Sequence, residues 1–286
     1  MTKSRFDVVP QGGLCNRLRV TLSARFAGET AGRAVRVRWG VRDAECPAVF
    51  DELFHSIDTP AFSIARRPWR YAAVTRRNLH LPALLRLPLF DAQQKNFDPR
   101  RHGDIATWLR RYPRLYVSGC EALVPYPAAC MGLLRPLPHI QERIDAVTRQ
   151  FDAHTVGVHI RRTDHTWAIE ESTDDAFRQA MHDCVRADGH TRFFLATDDD
   201  ELKRRLVAEW PERIITQPSV APRHTSEGIV QAVIDLWCLA ATRSLLGSFY
   251  SSFTDMAAAL GGIPLTVVRI TDGTPDAPEC PCDEGG

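Results

Sequence analysis

The hydrophobic pattern changes period several times along the chain. Val8-Val9 ends at Pro10, Gly12-Gly13 turns the chain, and from Leu14 to about Gly28 apolar residues recur at helical spacing. Val35-Arg36-Val37-Arg38-Trp39 then alternates as a half-buried strand does, so the chain opens as a β-α-β unit. Leu115-Tyr116-Val117 predicts another strand, and Ile140 to Phe151 a helix that bridges two halves. Beyond it the pattern is regular. Strands are predicted at Thr155 to Ile160, Phe193 to Ala196, Arg213 to Ile215, Leu245-Leu246 and Pro264 to Val268. Helices at Asp174 to Ala187, Asp199 to Glu209, Glu227 to Thr242 and Phe253 to Leu260 separate them. Such alternation predicts a parallel, doubly wound sheet, which binds ligands beyond the carboxyl ends of its strands. Between Ala44 and Asp104, Pro, Arg and aromatic residues interrupt every period and no element is placed. The expectation is an α/β protein of two Rossmann-like domains, residues 1–138 and 139–286, with a cleft between them.

Composition narrows the classes. A chain of 286 residues has room for two such domains, and 44% hydrophobic with 25% charged residues is ordinary for a globular protein. A formal charge of +1 gives no sign of a nucleic-acid or anionic-membrane partner, so any anion site must be local. The amino-terminal residues lack the apolar core of a signal peptide, and no apolar run is long enough to span a bilayer; a cytoplasmic location is expected. The eight cysteines show no paired C-x-x-C spacing and read as reduced and structural, with Cys280 and Cys282 in a loose acidic tail.

Chemistry concentrates in four places. In Val158-His159-Ile160-Arg161-Arg162-Thr163-Asp164 two guanidiniums stand at a strand's carboxyl end, where they can bind phosphate oxygens or, more simply, pair with Asp164 at the surface while His159 sits satisfied in the core. Thr197-Asp198-Asp199-Asp200 opens a helix: Asp198 suits the N-cap, Asp198 and Asp199 could face a nucleotide, and an Asp-x-Asp pair could hold Mg²⁺ or Mn²⁺. Asp235 lies on a helix apolar nearly all round, with Gln231, Ala232, Cys238 and Leu239 as its helical neighbours, so a buried carboxylate must find either a ligand or a distant Arg. The N1-H and N2-H of guanine match its two oxygens. Ser248, Ser251 and Ser252 precede a helix, where hydroxyls and open N-H groups favour phosphate.

The motif His159-x-Arg161-Arg162-x-Asp164 resembles the first signature of the superfamily of α-1,6-fucosyltransferases, nodulation fucosyltransferases and protein O-fucosyltransferases. Phe194-Leu195-Ala196-Thr197-Asp198-Asp199 is similar to its second signature, and Ile234-Asp235-Leu236 with Ser248-Phe249-Tyr250-Ser251-Ser252-Phe253 to its third. Gly12-Gly13-Leu14-Cys15-Asn16-Arg17 is similar to the turn that opens these enzymes. The motifs agree in order and spacing over residues 155–262, with no resemblance between 40 and 110.

The resemblance implies a GT-B fold, an amino-terminal acceptor side, and inverting transfer of fucose from GDP-fucose to a glycan, peptide or small-molecule hydroxyl, with no metal and no cofactor. It implies that Arg161 or Arg162 offsets charge on the leaving GDP. Gly13, Asn16 and Arg17 would lie near the donor sugar or diphosphate, and His159, Asp164, Asp198, Asp199, Asp235, Ser248, Ser251 and Ser252 around the nucleotide. Glu170, Glu171 and Asp164 follow the Arg motif closely enough to be general-base candidates, and Glu170 is preferred. The alternatives are another nucleotide sugar, or a binding module without catalysis. The stretch Arg66, Arg67, Trp69, Arg70, Tyr71, Arg76, Arg77 suits either an acidic or sugar acceptor or a solvated face.

Overall fold

The computed structural model describes residues 4–39, 45–65, 83–162, 166–218, 221–222 and 224–270. They form two parallel five-stranded sheets. The first holds β1 (Arg5–Pro10), β2 (Val35–Val37), β3 (Phe62–Ile64), β4 (Ala92–Gln94) and β5 (Arg114–Gly119), in the order β3-β2-β1-β5-β4. The second holds β6 (Thr155–Ile160), β7 (Arg192–Thr197), β8 (Ile214–Ile215), β9 (Leu245–Ser248) and β10 (Leu265–Val268), in the order β10-β9-β6-β7-β8. Every pairing is parallel, with Val8 opposite both Val37 and Val117, and Val158 opposite both Leu195 and Leu246. In each sheet the order reverses beside the first strand, between β1 and β5 and between β6 and β9. Those are the switch points at which a doubly wound sheet opens a crevice.

Ten helices connect the strands in the described residues: α1 (Leu14–Thr30), α2 (Ala83–Arg86), α3 (Pro99–His102), α4 (Ile105–Arg111), α5 (Pro138–Thr148), α6 (Thr166–Glu171), α7 (Asp174–Ala187), α8 (Asp200–Glu209), α9 (Ser226–Ala240) and α10 (Ser252–Gly261). β6 and α7 have the bounds that periodicity predicts. The second strand is shorter than its five-residue alternation, ending at Val37, although Trp39 remains buried with its ring 5.5 Å from Phe50. The interval without periodicity contains β3, β4, α2, α3 and the N-cap of α4. Asp98 and Asp104 cap α3 and α4 by accepting from the backbone N-H groups of Arg100 and Ala106, and Pro99 takes the first turn of α3.

One apolar core runs through both halves. It joins Phe6, Leu18 and Leu22 to Val233, Leu236 and Met256, and the ring of Phe54 lies 5.5 Å from that of Trp237. Helix α5 packs along α9, and α10 against both α9 and α1. One polar tie adds to the seam, Ser226 Oγ donating to Pro47 O at 2.9 Å, and within the second half Arg143 on α5 pairs with Glu227 on α9 at 2.7 Å. A small second core of Val156, Val158, Phe177, Met181, Phe193 and Leu202 fills the other face of the second sheet.

β1 also carries a buried charge. Asp7, fully buried, accepts from Arg5 Nε and Nη2, each at 2.9 Å, and from Arg38 Nε at 2.9 Å and Nη2 at 2.6 Å. Burial pushes its carboxyl up, but the hydrogen bonds from Arg5 and the charge of Arg38 outweigh this and hold it below the ordinary carboxylate range.

Candidate functional site

A cleft of about 590 Å³ opens between the two sheets at the carboxyl ends of their strands. Gly12 to Asn16, after β1, line one wall with Glu45. His159 and Arg161 from β6, Ala196 to Asp198 from β7, and Ser252 and Phe253 from α10 line the other, while Ala221, His224 and one face of α9 close the end that holds Asp235.

The wall after β1 is built on a turn that requires glycine. Gly12 has φ +82°, and a Cβ there would meet Asn16 Nδ2 at 2.6 Å. Gly13 is the N-cap of α1 and supplies no side-chain cap, so the amino end of a seventeen-residue helix faces the cleft with backbone N-H groups. Asn16 lies in its first turn, and its Oδ1 is buried with no hydrogen-bond partner. Arg17 is only 2% exposed and does not line the cleft: its Nε donates to Gly12 O at 2.8 Å, clamping the turn, and its guanidinium lies 5.9 Å from the Trp39 ring centre. Arg17 shapes the turn from behind.

At the end of β6 the two arginines part. Arg161 lines the cleft, its backbone N-H donating to Ser248 Oγ at 3.0 Å. Arg162 points away into a network in which Nε and Nη2 bind Asp174 Oδ1 at 2.9 and 2.7 Å, Nη2 also reaches Ser172 O at 2.8 Å, and Nη1 reaches Arg161 O at 2.9 Å. Arg162 thus braces β6 against α7, with its side-chain donors engaged inside the protein. His159, 8% exposed, is fixed by Nδ1 against Thr254 Oγ1 at 2.8 Å and stacks on Phe253 at 4.7 Å. A Cβ at Gly247 would lie 2.0 Å from Thr254 Cγ2, so that glycine lets α10 close on the strand and hold His159.

The acidic run is shifted by one from the expected cap. Asp199, not Asp198, is the N-cap of α8, accepting from the N-H groups of Glu201 and Leu202 at 2.9 Å each. Asp198 lines the cleft and accepts from Arg162 N at 2.7 Å. The serines divide likewise. Ser248 is buried between Arg161 N and His159 O, Ser251 caps α10 through Thr254 N, and only Ser252 lines the cleft. Ser248 and Ser251 thus bind backbone groups of the protein. Glu170 sits exposed on α6, outside the lining of the cleft. Asp164, and the Arg66 to Arg77 stretch, fall outside the described residues.

Asp235 projects from α9 into the closed end of the cleft. Gln217 Nε2 donates to its Oδ1 at 2.6 Å and to Gln231 O at 3.2 Å, a partner that helical spacing could not reveal. Burial pushes the Asp235 carboxyl up to about 7, opposed by the Gln217 hydrogen bond and the charges of Lys203 and Arg143. Lys203, itself 6% exposed, has its ammonium pushed down by burial, with Asp235 acting in the opposite direction. Sequence reading also missed Glu45, which accepts from Gly12 N at 3.0 Å. Among the described residues, no cluster of three or more His, Cys, Asp or Glu side chains could hold a metal ion, and no helix is long and apolar enough to cross a membrane.

Two parallel doubly wound sheets with their switch points turned to one cleft define the GT-B type of α/β fold. No protein-family model matches the chain, and no curated protein matches it in sequence. Solved structures do. NodZ α-1,6-fucosyltransferase soaked with GDP-fucose is similar with a TM-score of 0.59 and 20% identity, over 90% of this chain and 92% of that one. POFUT1 in complex with GDP gives 0.59 and 13%, over 94% and 99%, and fucosyltransferase NodZ from Bradyrhizobium gives 0.54 and 18%, over 90% and 93%. The likeness in fold therefore extends well beyond residues 155–262, where the motifs lie.

Proposed function

We propose that this chain is an inverting, metal-independent glycosyltransferase that takes fucose from GDP-fucose and passes it to a hydroxyl. The observation that carries the reading is the polarity of the cleft. One end offers a desolvated carboxylate, Asp235, and the other walls offer Arg161 and the uncapped amino end of α1. A guanosine diphosphate has the same polarity, with two N-H donors on the base edge and two anionic phosphates. The cleft volume of about 590 Å³ suits a nucleotide sugar. Asn16 Oδ1, a buried acceptor without a partner, awaits a donor such as a sugar hydroxyl.

In this reading Asp235 accepts from guanine N1-H and N2-H, Gln217 holds it in place, and His159 with Phe253 forms a flat wall beside the nucleotide. Asp198 and Ser252 supply further polar contacts. As the bond from the sugar's anomeric carbon to the β-phosphate breaks, negative charge grows on GDP, and Arg161 and the N-H groups of α1 stabilise it, which is the work a divalent cation does in other transferases. The half built on β1 to β5 receives the acceptor. The crystals of NodZ and POFUT1 with GDP or GDP-fucose support the donor class by likeness of fold. Calorimetric titration with GDP, UDP and ADP, followed by GDP release from GDP-fucose, tests the reading; equal affinity for the three nucleotides would refute it.

A further inference from the structure

We propose that Glu45 is the general base that takes the proton from the attacking hydroxyl. The proposal rests on the donor assignment above. Glu45 is a carboxylate on the wall that faces Arg161 and the second sheet, on the half assigned to the acceptor. The other carboxylates among the described residues that line the cleft belong to the opposite half and have different work: Asp198 accepts from the Arg162 backbone at 2.7 Å, and Asp235 lies desolvated at the closed end with Gln217.

Local structure holds Glu45 in place while leaving it open to solvent. Gly12 N donates to Oε2 at 3.0 Å, fixing the carboxylate beside the turn that shapes α1. Cys46, the next residue, is fully buried, and Pro47 O accepts from Ser226 Oγ at 2.9 Å, tying this loop to α9 across the cleft. A base must be both positioned and reachable by the acceptor, and an exposed carboxylate on an anchored loop meets both needs. In the step, an acceptor oxygen forms a bond to the anomeric carbon while the bond to the β-phosphate oxygen breaks. The acceptor proton passes to Glu45, and the electron pair leaves with GDP, whose charge Arg161 offsets.

The probe is GDP-fucose itself, with water as acceptor and GDP release as readout. Glu45→Gln retains an oxygen that accepts from Gly12 N, so the turn and the donor site are kept while the base is lost. The expected result is a hydrolysis kcat at least 100-fold lower, with affinity for GDP within about twofold of the unaltered protein. Azide, a nucleophile with no proton to give up, should form fucosyl azide as fast with Glu45→Gln as with the unaltered protein. Unchanged hydrolysis in Glu45→Gln would overturn the assignment. So would a loss of GDP affinity as large as the loss of rate, or an azide reaction as impaired as hydrolysis; these would reduce Glu45 to a tie for the Gly12 turn. An unaltered protein that binds no GDP would instead overturn the donor assignment on which the proposal stands.

Discussion

If Asp235 reads guanine, donor binding must be linked to a proton, and the size of the link follows from its surroundings. Burial pushes the carboxyl up to about 7, whereas two guanine donors would stabilise the ionised form and pull it down. Donor binding then releases a proton at and below neutrality. Affinity should fall by up to tenfold per pH unit below about 7, because each unit is worth about 1.4 kcal/mol of differential interaction. Between pH 7.5 and 5.5 the ionised fraction of a group titrating near 7 drops about 25-fold, and GDP-fucose affinity should weaken by roughly that factor. GDP-fucose is the right ligand because its diphosphate is esterified at both ends and carries no proton near neutrality. Asp235→Asn should flatten the profile and weaken GDP relative to UDP by about 5- to 150-fold, the equivalent of roughly 1–3 kcal/mol for a buried donor facing a donor. The folded-state shift is upward, so the unaltered protein loses stability as pH rises from the ordinary carboxylate range, near 4, towards 7. The amide variant is free of that cost and should melt no lower at pH 8. A flat pH profile for the unaltered protein, or a folded Asp235→Asn variant that still prefers GDP, refutes the reasoning.

Other expectations can be checked alongside. Arg161→Ala should lower GDP-fucose turnover on the order of 100-fold or more with the melting temperature nearly unchanged, whereas Arg162→Ala should cost about 1.5–3 kcal/mol in urea unfolding by removing the charged hydrogen bonds to Asp174 and Ser172 O, Asp174 keeping Arg205 as a partner. Equal effects of the two on folding and turnover would contradict the division of the pair. Asp7→Asn should destabilise by about 3 kcal/mol, because two guanidiniums lose their buried partner. The Asp7 carboxyl is held below its usual range, so its stabilisation is full above the unfolded value near 4 and is lost as pH falls through the lower folded value; acid unfolding curves of the two proteins should converge there. Turnover should survive excess EDTA, and a large loss restored by Mn²⁺ or Mg²⁺ would return the Asp198 and Asp200 carboxylates to a metal site.

Legibility along the chain tracked the length of the elements. β6 and α7 could be bounded because six and fourteen residues are enough to display a period. β3 and β4 have three residues each, too short for alternation to stand out among the Pro and Arg that surround them. The caps of that interval were nonetheless present as local chemistry: Asp98-Pro99 is an N-cap followed by the residue most tolerant of a helix's first turn. Glu45 carries no such mark. Its place in the cleft depends on a contact with Gly12, thirty-three residues away, that only the packed sheet creates.

The site motifs were legible as groups but not as individuals, and strand geometry explains much of the difference. Successive side chains leave a strand on opposite sides, so two arginines in a row at the end of β6 cannot both enter one cleft unless the backbone turns. The alternation assigns one to the crevice and the other to the helix packed beside it. Arg161 lines the cleft, and Arg162 meets Asp174 at the start of α7. In Thr197-Asp198-Asp199-Asp200 the same competition is decided by where the strand stops. β7 runs to Thr197, so the cap falls to Asp199 at the residue before α8, and Asp198, caught between, is left in the crevice. Ser248, Ser251 and Ser252 follow suit, since β9 keeps the first, the cap of α10 takes the second and the first helical residue presents the third. A motif of like residues at the carboxyl end of a strand should therefore be read as one ligand contact with its supports.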